Sequence, residues 1–196
     1  MRSIRPSSCH GESGGARPHA QAVHYFETTS DAFFANETNF LEQRGIDVAL
    51  IDGLHTYQQV VRDVTNTLRY LRDDGVIVLH DCNPTRPSVA FPAASYADFR
   101  ARNRWWHTMR SGDVWKAIAD LRSTRHDLRI AVLDCDYGLG ITRTGVPDSV
   151  LTYSADQIAA LNYSDLSLDR ERLLNLKPWA YFDQFLVGES RSGPTC

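Results

Sequence analysis

The fold is decided by residues 47–84, which read DVALIDGLHTYQQVVRDVTNTLRYLRDDGVIVLHDCNP. Two short apolar runs, Val48–Ile51 and Val76–Leu79, lack the alternation with polar residues that marks a strand with one exposed face. Between them, apolar residues recur at three- and four-residue steps, which predicts a helix with one buried face. They are Tyr57, Val60, Val61, Val64, Leu68 and Leu71. We therefore predict two parallel strands joined by a crossover helix, with Gly75 ending that helix.

Acidic side chains follow both predicted strands. Asp52 comes after the first strand and Asp81 after the second, with His55 and His80 beside them. Ligands of open α/β sheets bind outside the carboxyl ends of the strands, and neighbouring strands lie about 4.8 Å apart. The two carboxylates are thus expected to share a divalent cation, or to hold ribose hydroxyls and a reacting group. The alternative is that they only cap the loops and helices that follow.

The segments IDGLHTYQQVVRD and LRDDGVIVLHDCNP resemble part of the class I S-adenosylmethionine-dependent methyltransferases, namely the fourth strand, the next helix and the fifth strand. The branch they resemble is related to macrocin O-methyltransferase and similar small-molecule O-methyltransferases. The resemblance runs from about Val23 to about Thr144. It implies a Rossmann-like, three-layer α/β/α fold with a mostly parallel sheet and a C-terminal antiparallel strand. It also implies O-methylation of a small-molecule acceptor, with S-adenosylmethionine as cofactor and assistance from Mg²⁺.

The resemblance also implies roles for the residues at the strand ends. In such enzymes, carboxylates after the fourth and fifth strands hold the metal ion, which makes Asp52 and Asp81 the implied ligands. His80 stands where the family often has an acid, so it is a third candidate ligand. In the family, an acidic residue two positions after the first carboxylate can act as the general base, but that position is Leu54 here. His55 is our substitute for the general base, because imidazole titrates near neutral pH.

The N-terminal part departs from the family pattern. Residues 1–22 are rich in Ser, Gly, Arg, His and Pro, without strand or helix periodicity, which predicts a disordered or adventitious segment. The glycines of HGESGGARP lack the flanking strand and helix that a cofactor-binding turn needs. We therefore expect the first two strands, and the Gly-rich cofactor turn, to be missing. Val23–Phe26 is then the third strand, and it either pairs with the fourth or leaves that edge for another chain to cover.

A helix beginning near Ser30 and Asp31 is predicted after that strand. By resemblance, Ser30, Asp31 and Asp52 contact the cofactor, the first two near its adenine end. Plain N-capping of the helix is the alternative for Ser30 and Asp31. Asp113 is predicted to cap a later helix.

Two more strands are predicted at residues 129–134 and 138–144, the second antiparallel. Residues 83–112 are predicted to form a binding loop in which Trp105 and Trp106 stack on the acceptor or anchor the loop. Aromatic residues after Pro178 are predicted to cover the sheet or to form a homodimer contact.

Length and charge limit the remaining possibilities. The chain has 196 residues, and we expect one partial methyltransferase-like domain at 23–187 with a flexible tail at 188–196. The net charge of −3 argues against nucleic acid or an anionic membrane as partner. Four scattered cysteines and the lack of an apolar leader favour a cytoplasmic setting. The competing functions are a non-catalytic remnant that needs a partner chain, and a metal enzyme that does not use S-adenosylmethionine.

Overall fold

A computed structural model describes residues 22–93, 95–102 and 110–187. The predicted disordered ends, residues 1–21 and 188–196, and the predicted loop residues Trp105 and Trp106 lie outside these ranges. In chain order the elements are α1 Ser30–Asn36, α2 Thr38–Arg44, β1 Ile46–Ile51, α3 Tyr57–Leu68, β2 Leu71–Leu79, α4 Tyr96–Arg102, α5 Val114–Thr124, β3 Leu128–Leu133, β4 Leu139–Thr144, α6 Ala155–Ala160, α7 Tyr163–Leu168, α8 Arg170–Leu174, β5 Leu176–Lys177 and α9 Tyr181–Val187.

The five described strands form one sheet in the order β1-β2-β4-β3-β5. β1 pairs with β2 in parallel, and β3 pairs with β5 in parallel. β4 is antiparallel to both of its neighbours, which confirms the predicted antiparallel strand. Four strands therefore point one way and β4 points the other. This mixed α/β arrangement is compatible with a Rossmann-like fold.

The predicted crossover is confirmed, because β1 and β2 are parallel neighbours joined by α3. One detail is wrong: Gly75 does not end the helix. α3 ends at Leu68 with Arg69 as its C-cap, and the chain turns at once into β2. The Ile46 N–H donates to the Tyr70 carbonyl (2.8 Å), and Leu71 is already in register with Ile46. Gly75 thus lies inside β2, because pairing with β1 begins earlier than the apolar run suggests.

The predicted strand at Val23–Phe26 is wrong, since these residues have no regular secondary structure. Phe26 packs edge-to-face against Phe33 and Phe40, with ring centroids 5.0 and 5.4 Å apart. His24 packs on Phe40 in the same way at 5.1 Å. The segment therefore joins an aromatic cluster on α1 and α2. It does not pair with β1, so the first of the two alternatives for this segment is wrong.

β1 forms an edge of the sheet: within the described ranges, no strand pairs with its outer side. The backbone N–H of His80 donates to Ile51 on the β2 side (3.1 Å), so the outer backbone groups belong to the alternate residues, Val48 and Leu50. Their side chains are 69% and 67% exposed. Apolar side chains on an unpaired edge form a surface that is prone to association.

The main core lies between α3, α5 and one face of the sheet. Trp115 on α5 is 1% exposed, and Ile77 and Leu79 on β2 are fully buried. The rest of this core includes Val60, Val64, Ile118, Leu121, Ile130 and Val132. On the other face, Phe185 of α9 packs on Ala131, Leu133 and Ile141. α9 covers β3 and β4, as predicted for the C-terminal aromatic segment, and leaves Val48 and Leu50 on β1 open.

None of the helices in the described part of the chain is long and apolar enough to cross a membrane.

Candidate functional site

Two carboxylates and two imidazoles meet at the carboxyl ends of β1 and β2. His80 Nδ1 lies 3.6 Å from Asp52 Oδ1 and 3.3 Å from Asp81 Oδ2. One ligand atom from each of these three residues lies within 4.8 Å of the other two. The sheet therefore brings together the two acids that the sequence placed at neighbouring strand ends. Two carboxylates this close repel each other, and the intervening imidazoles or a bound cation would reduce that repulsion.

Asp81 is held in an unusual backbone conformation. Its φ is 62°, in the left-handed region, and it is only 7% exposed. The Ser111 hydroxyl donates to Asp81 Oδ1 (2.9 Å), which leaves Oδ2 directed at the imidazoles. Directly after it, the Cys82 N–H donates to the Gly138 carbonyl (2.9 Å). These contacts fix a conformation that otherwise costs about 1–2 kcal/mol, and backbone strain of this kind is concentrated at functional sites.

His80 is directed by a residue from another loop. Its Nε2 lies 3.3 Å from Asp136 Oδ2, whereas its Nδ1 is buried and has no hydrogen-bond partner among the described residues. Burial lowers the pKa of His80, but Asp81, the hydrogen bond to Asp136 and Asp52 together outweigh burial and raise it. The surroundings of Nδ1 therefore favour a positive charge, whether it is a proton on the ring or a metal ion.

His55, the candidate base, lies between the two acids. Its Nε2 is 3.0 Å from Asp52 Oδ1, and its Nδ1 is 3.2 Å from Asp81 Oδ2. Nδ1 also contacts the backbone carbonyl of Arg110, which can only accept a hydrogen bond. Nε2 likewise faces only an acceptor, the Asp52 carboxylate, so both ring nitrogens of His55 are placed to donate.

The loop before α5 contacts the segment that carries His55 and leads into α3. Asp113, predicted to cap its own helix, makes no such bond. Asp113 instead accepts the Tyr57 N–H (2.7 Å), so it caps the start of α3. Burial raises the pKa of Asp113, although this bond opposes the shift. The sequence does not reveal this cap, because Asp113 and Tyr57 are 56 residues apart and leave no local pattern.

Ser30, Asp31 and Asp52 line one groove of about 1000 Å³ that runs along β1 beneath α1 and α2. Capping does not explain Ser30 or Asp31, because Thr29 is the N-cap of α1 and accepts the Ala32 N–H (3.2 Å). Gln59 Nε2 instead donates to Ser30 Oγ and to Asp31 Oδ1, at 3.2 Å each. The groove therefore brings the three predicted cofactor contacts together.

Four polar residues of the site escaped the sequence analysis. Gln59 and Asp63 are buried, face the groove from α3 and bond each other at 2.9 Å. Polar residues one helical turn apart are ordinarily read as a solvated face. Ser111 and Asp136 come from distant loops, and Asp136 lies in the short turn between the strands predicted at residues 129–134 and 138–144.

Cys82 lies directly behind Asp81 and is fully buried. Burial raises the pKa of its thiol from 9.0 to about 12. The thiolate is the form that reacts with iodoacetamide. In the folded protein, Cys82 should therefore be alkylated about 1000-fold more slowly at neutral pH than an exposed thiol is. Peptide mass mapping after a timed iodoacetamide pulse, with and without denaturant, measures this rate. Equal modification of Cys82 in the folded and unfolded chains would contradict the described packing.

Comparison with known proteins adds one similarity. A family model described as a methyltransferase domain matches residues 8–82, under half of the chain. The matched range includes α1 to β2 and the four residues Asp52, His55, His80 and Asp81. No curated protein matches the chain. The match supports a methyltransferase domain, and therefore a transferase.

Proposed function

We propose that this chain is an S-adenosylmethionine-dependent methyltransferase that methylates a hydroxyl group of a small molecule with the help of a divalent metal ion. The observation that carries the proposal is the meeting of Asp52, His80 and Asp81 at the ends of two parallel strands. It is supported by the methyltransferase-domain match over the same residues. The groove along β1 offers a volume suited to a cofactor-sized ligand.

The residues at the strand ends fit a divalent ion. His80 Nδ1 is a buried polar atom without a hydrogen-bond partner in the described part of the chain, and it faces two carboxylate oxygens. Asp52, His80 and Asp81 would hold the ion; the two carboxylate oxygens suit Mg²⁺, whereas the nitrogen of His80 suits later first-row ions. When bound, such an ion acts as a Lewis acid and as a template for the acceptor hydroxyl.

The chain's own groups would then position the reactants and remove a proton. Ser30 and Asp31 would bind the adenine end of the cofactor, with Asp52 further along the groove. His55 would take the acceptor's proton at Nε2 in its neutral form, in which Nδ1 donates to the Arg110 carbonyl and Nε2 is released from Asp52 Oδ1. Holding the acceptor oxygen in line with the methyl group would supply much of the rate enhancement.

Titration calorimetry with S-adenosylmethionine, with and without Mg²⁺, tests the proposal. We expect saturable binding in the micromolar to millimolar range that is usual for enzyme substrates. Asp31→Asn should weaken cofactor binding, because it removes the negative charge and one acceptor oxygen of the groove, whereas the exposed Glu42→Gln on α2 should not. Absence of heat at millimolar cofactor would show that the chain does not bind S-adenosylmethionine by itself.

A specific observation favours a second function, a non-catalytic module completed by another chain. The outer edge of β1 is unpaired within the described residues and exposes Val48 and Leu50. An added strand, from a partner or from a second copy, would bury both. The C-terminal segment offers another contact surface through Trp179, which is 71% exposed. Under this function the calorimetry shows no cofactor binding to the isolated chain.

A further inference from the structure

We infer that the site prefers an imidazole-binding ion such as Mn²⁺, Fe²⁺ or Co²⁺ over Mg²⁺, and that Asp136 establishes this preference by positioning His80. The inference rests on the metal-assisted function proposed above and names the ion and a further residue that acts on it. Asp136 does not reach the ion itself in this scheme. It acts through the ring of His80.

The first step is the tautomer of His80. A neutral imidazole has one N–H and one lone pair. If Nε2 carries the hydrogen and donates it to Asp136 Oδ2 (3.3 Å), the lone pair lies on Nδ1. That lone pair faces Asp81 Oδ2 at 3.3 Å and Asp52 Oδ1 at 3.6 Å. Three electron-rich atoms facing one point make a ligand set with one nitrogen and two oxygens.

The second step is how the chain holds Asp136 in place. Asp136, Tyr137 and Gly138 have φ values of 42°, 60° and 88°, three successive residues in the left-handed region. Such a turn is costly for non-glycine residues and persists when its surroundings fix it. The N–H groups of Cys82 and Asn83 donate to the carbonyls of Gly138 and Tyr137, at 2.9 and 2.6 Å. The turn is thus fastened to the same loop that carries His80 and Asp81.

The nitrogen ligand determines which ion the site prefers. Mg²⁺ prefers oxygen ligands, whereas imidazole suits later first-row ions, and affinity rises from Mn²⁺ towards Cu²⁺. A carboxylate that accepts the other ring N–H orients a histidine ligand and raises its basicity. Asp136 supplies that carboxylate, although its side chain is 67% exposed and is not itself directed at the other acids. The positioned nitrogen therefore favours Mn²⁺ over Mg²⁺.

Ion titrations without any cofactor test the inference. We expect the wild type to bind Mn²⁺ at least about tenfold more tightly than Mg²⁺, with a ¹⁴N modulation in the pulsed EPR of bound Mn²⁺ that His80→Asp removes. Asp136→Ala should weaken Mn²⁺ binding about 10- to 100-fold and Mg²⁺ binding less, and Asp136→Asn, which still accepts a hydrogen bond, should recover part of the loss. Loss of charge alone would weaken both ions equally, and Glu42→Gln controls for net charge.

The background of His80→Asp separates positioning from general damage. There, Asp136→Ala should leave the Mn²⁺ to Mg²⁺ ratio unchanged, because the ring through which Asp136 acts is gone. An equal loss of the ratio in both backgrounds, missing ¹⁴N modulation, or Mg²⁺ binding as tight as Mn²⁺ would overturn the inference. If S-adenosylmethionine does not bind while the ion pattern holds, the proposed function fails and the ion site stands. If the cofactor binds but the ion pattern is absent, the inference about the ion fails and the proposed cofactor binding stands.

Discussion

Replacing Asp81 with asparagine should lower divalent-ion affinity by more than about 100-fold, since even outer-shell partners of a metal ligand are worth 10- to 100-fold. Asp81 is the most buried of the three candidate ligands, and its Oδ2 lies against both imidazoles at 3.2 and 3.3 Å. Asparagine removes the charge but tolerates the left-handed backbone. It also keeps an oxygen for the Ser111 hydroxyl, so the fold should survive. Calorimetric titration with Mn²⁺ and Mg²⁺, alongside thermal unfolding, measures both effects.

Asp74→Asn is the matched control for this experiment, because Asp74 is an exposed acid on β2, the strand that Asp81 follows. It should leave ion affinity unchanged. If cofactor-dependent methyl transfer is detected, its rate should fall with ion affinity in Asp81→Asn and not in the control. Ion binding that is equal in wild type and Asp81→Asn would remove Asp81 from the metal site.

Replacing Gly112 with alanine should destabilise the protein more than most surface substitutions. Gly112 has φ 58°, and a methyl carbon there would lie 1.8 Å from the carbonyl oxygen of His55. The loop is unable to move away freely, because the N–H groups of Ser111 and Gly112 both donate to the Val89 carbonyl (2.9 Å each). The left-handed backbone and the overpacking together cost about 2–5 kcal/mol. At about 2–4 °C per kcal/mol, the Tm should fall by about 4–20 °C.

Gly53→Ala is the control for Gly112→Ala. It lies in the adjacent loop after β1, where a methyl group would meet nothing within 4 Å. Its Tm should stay close to that of the wild type. Because the neighbouring Ser111 donates to Asp81, any Gly112→Ala protein that still folds should also lose ion affinity. A normal Tm for Gly112→Ala would mean that the loop before α5 does not pack against His55 as described.

Several parts of the fold and the site were predictable because their causes are local. The apolar runs and the three- and four-residue spacing of residues 57–71 specify strands and a helix without reference to any other part of the chain. A parallel crossover places its two strand ends on one edge of the sheet, and Asp52 and Asp81 meet there because β1 and β2 pair directly. The roles assigned to His55, Ser30 and Asp31 stay predictions, although the structure places each at the strand ends or in the groove.

Other predictions failed where distant contacts outweigh local preference. Val23–Phe26 has the composition of a strand, but the half-buried ring of Phe26 packs edge-to-face against Phe33 and Phe40 on α1 and α2. Gly75 follows a helical pattern, yet pairing with β1 draws the chain into β2 before it is reached. In both cases, contacts with other parts of the chain decided the conformation. Side-chain packing decided it for Val23–Phe26, and backbone pairing decided it for Gly75.

The sequence by itself determined the crossover unit and the two acids at its mouth, because short-range periodicity and a single chiral connection suffice for both. The tertiary structure decided which groups complete the site. Ser111 contacts Asp81 across 30 residues, and Asp136 contacts His80 across 56. Contacts of that span depend on how separate loops pack against the sheet, and this packing energy belongs to no single stretch of the chain.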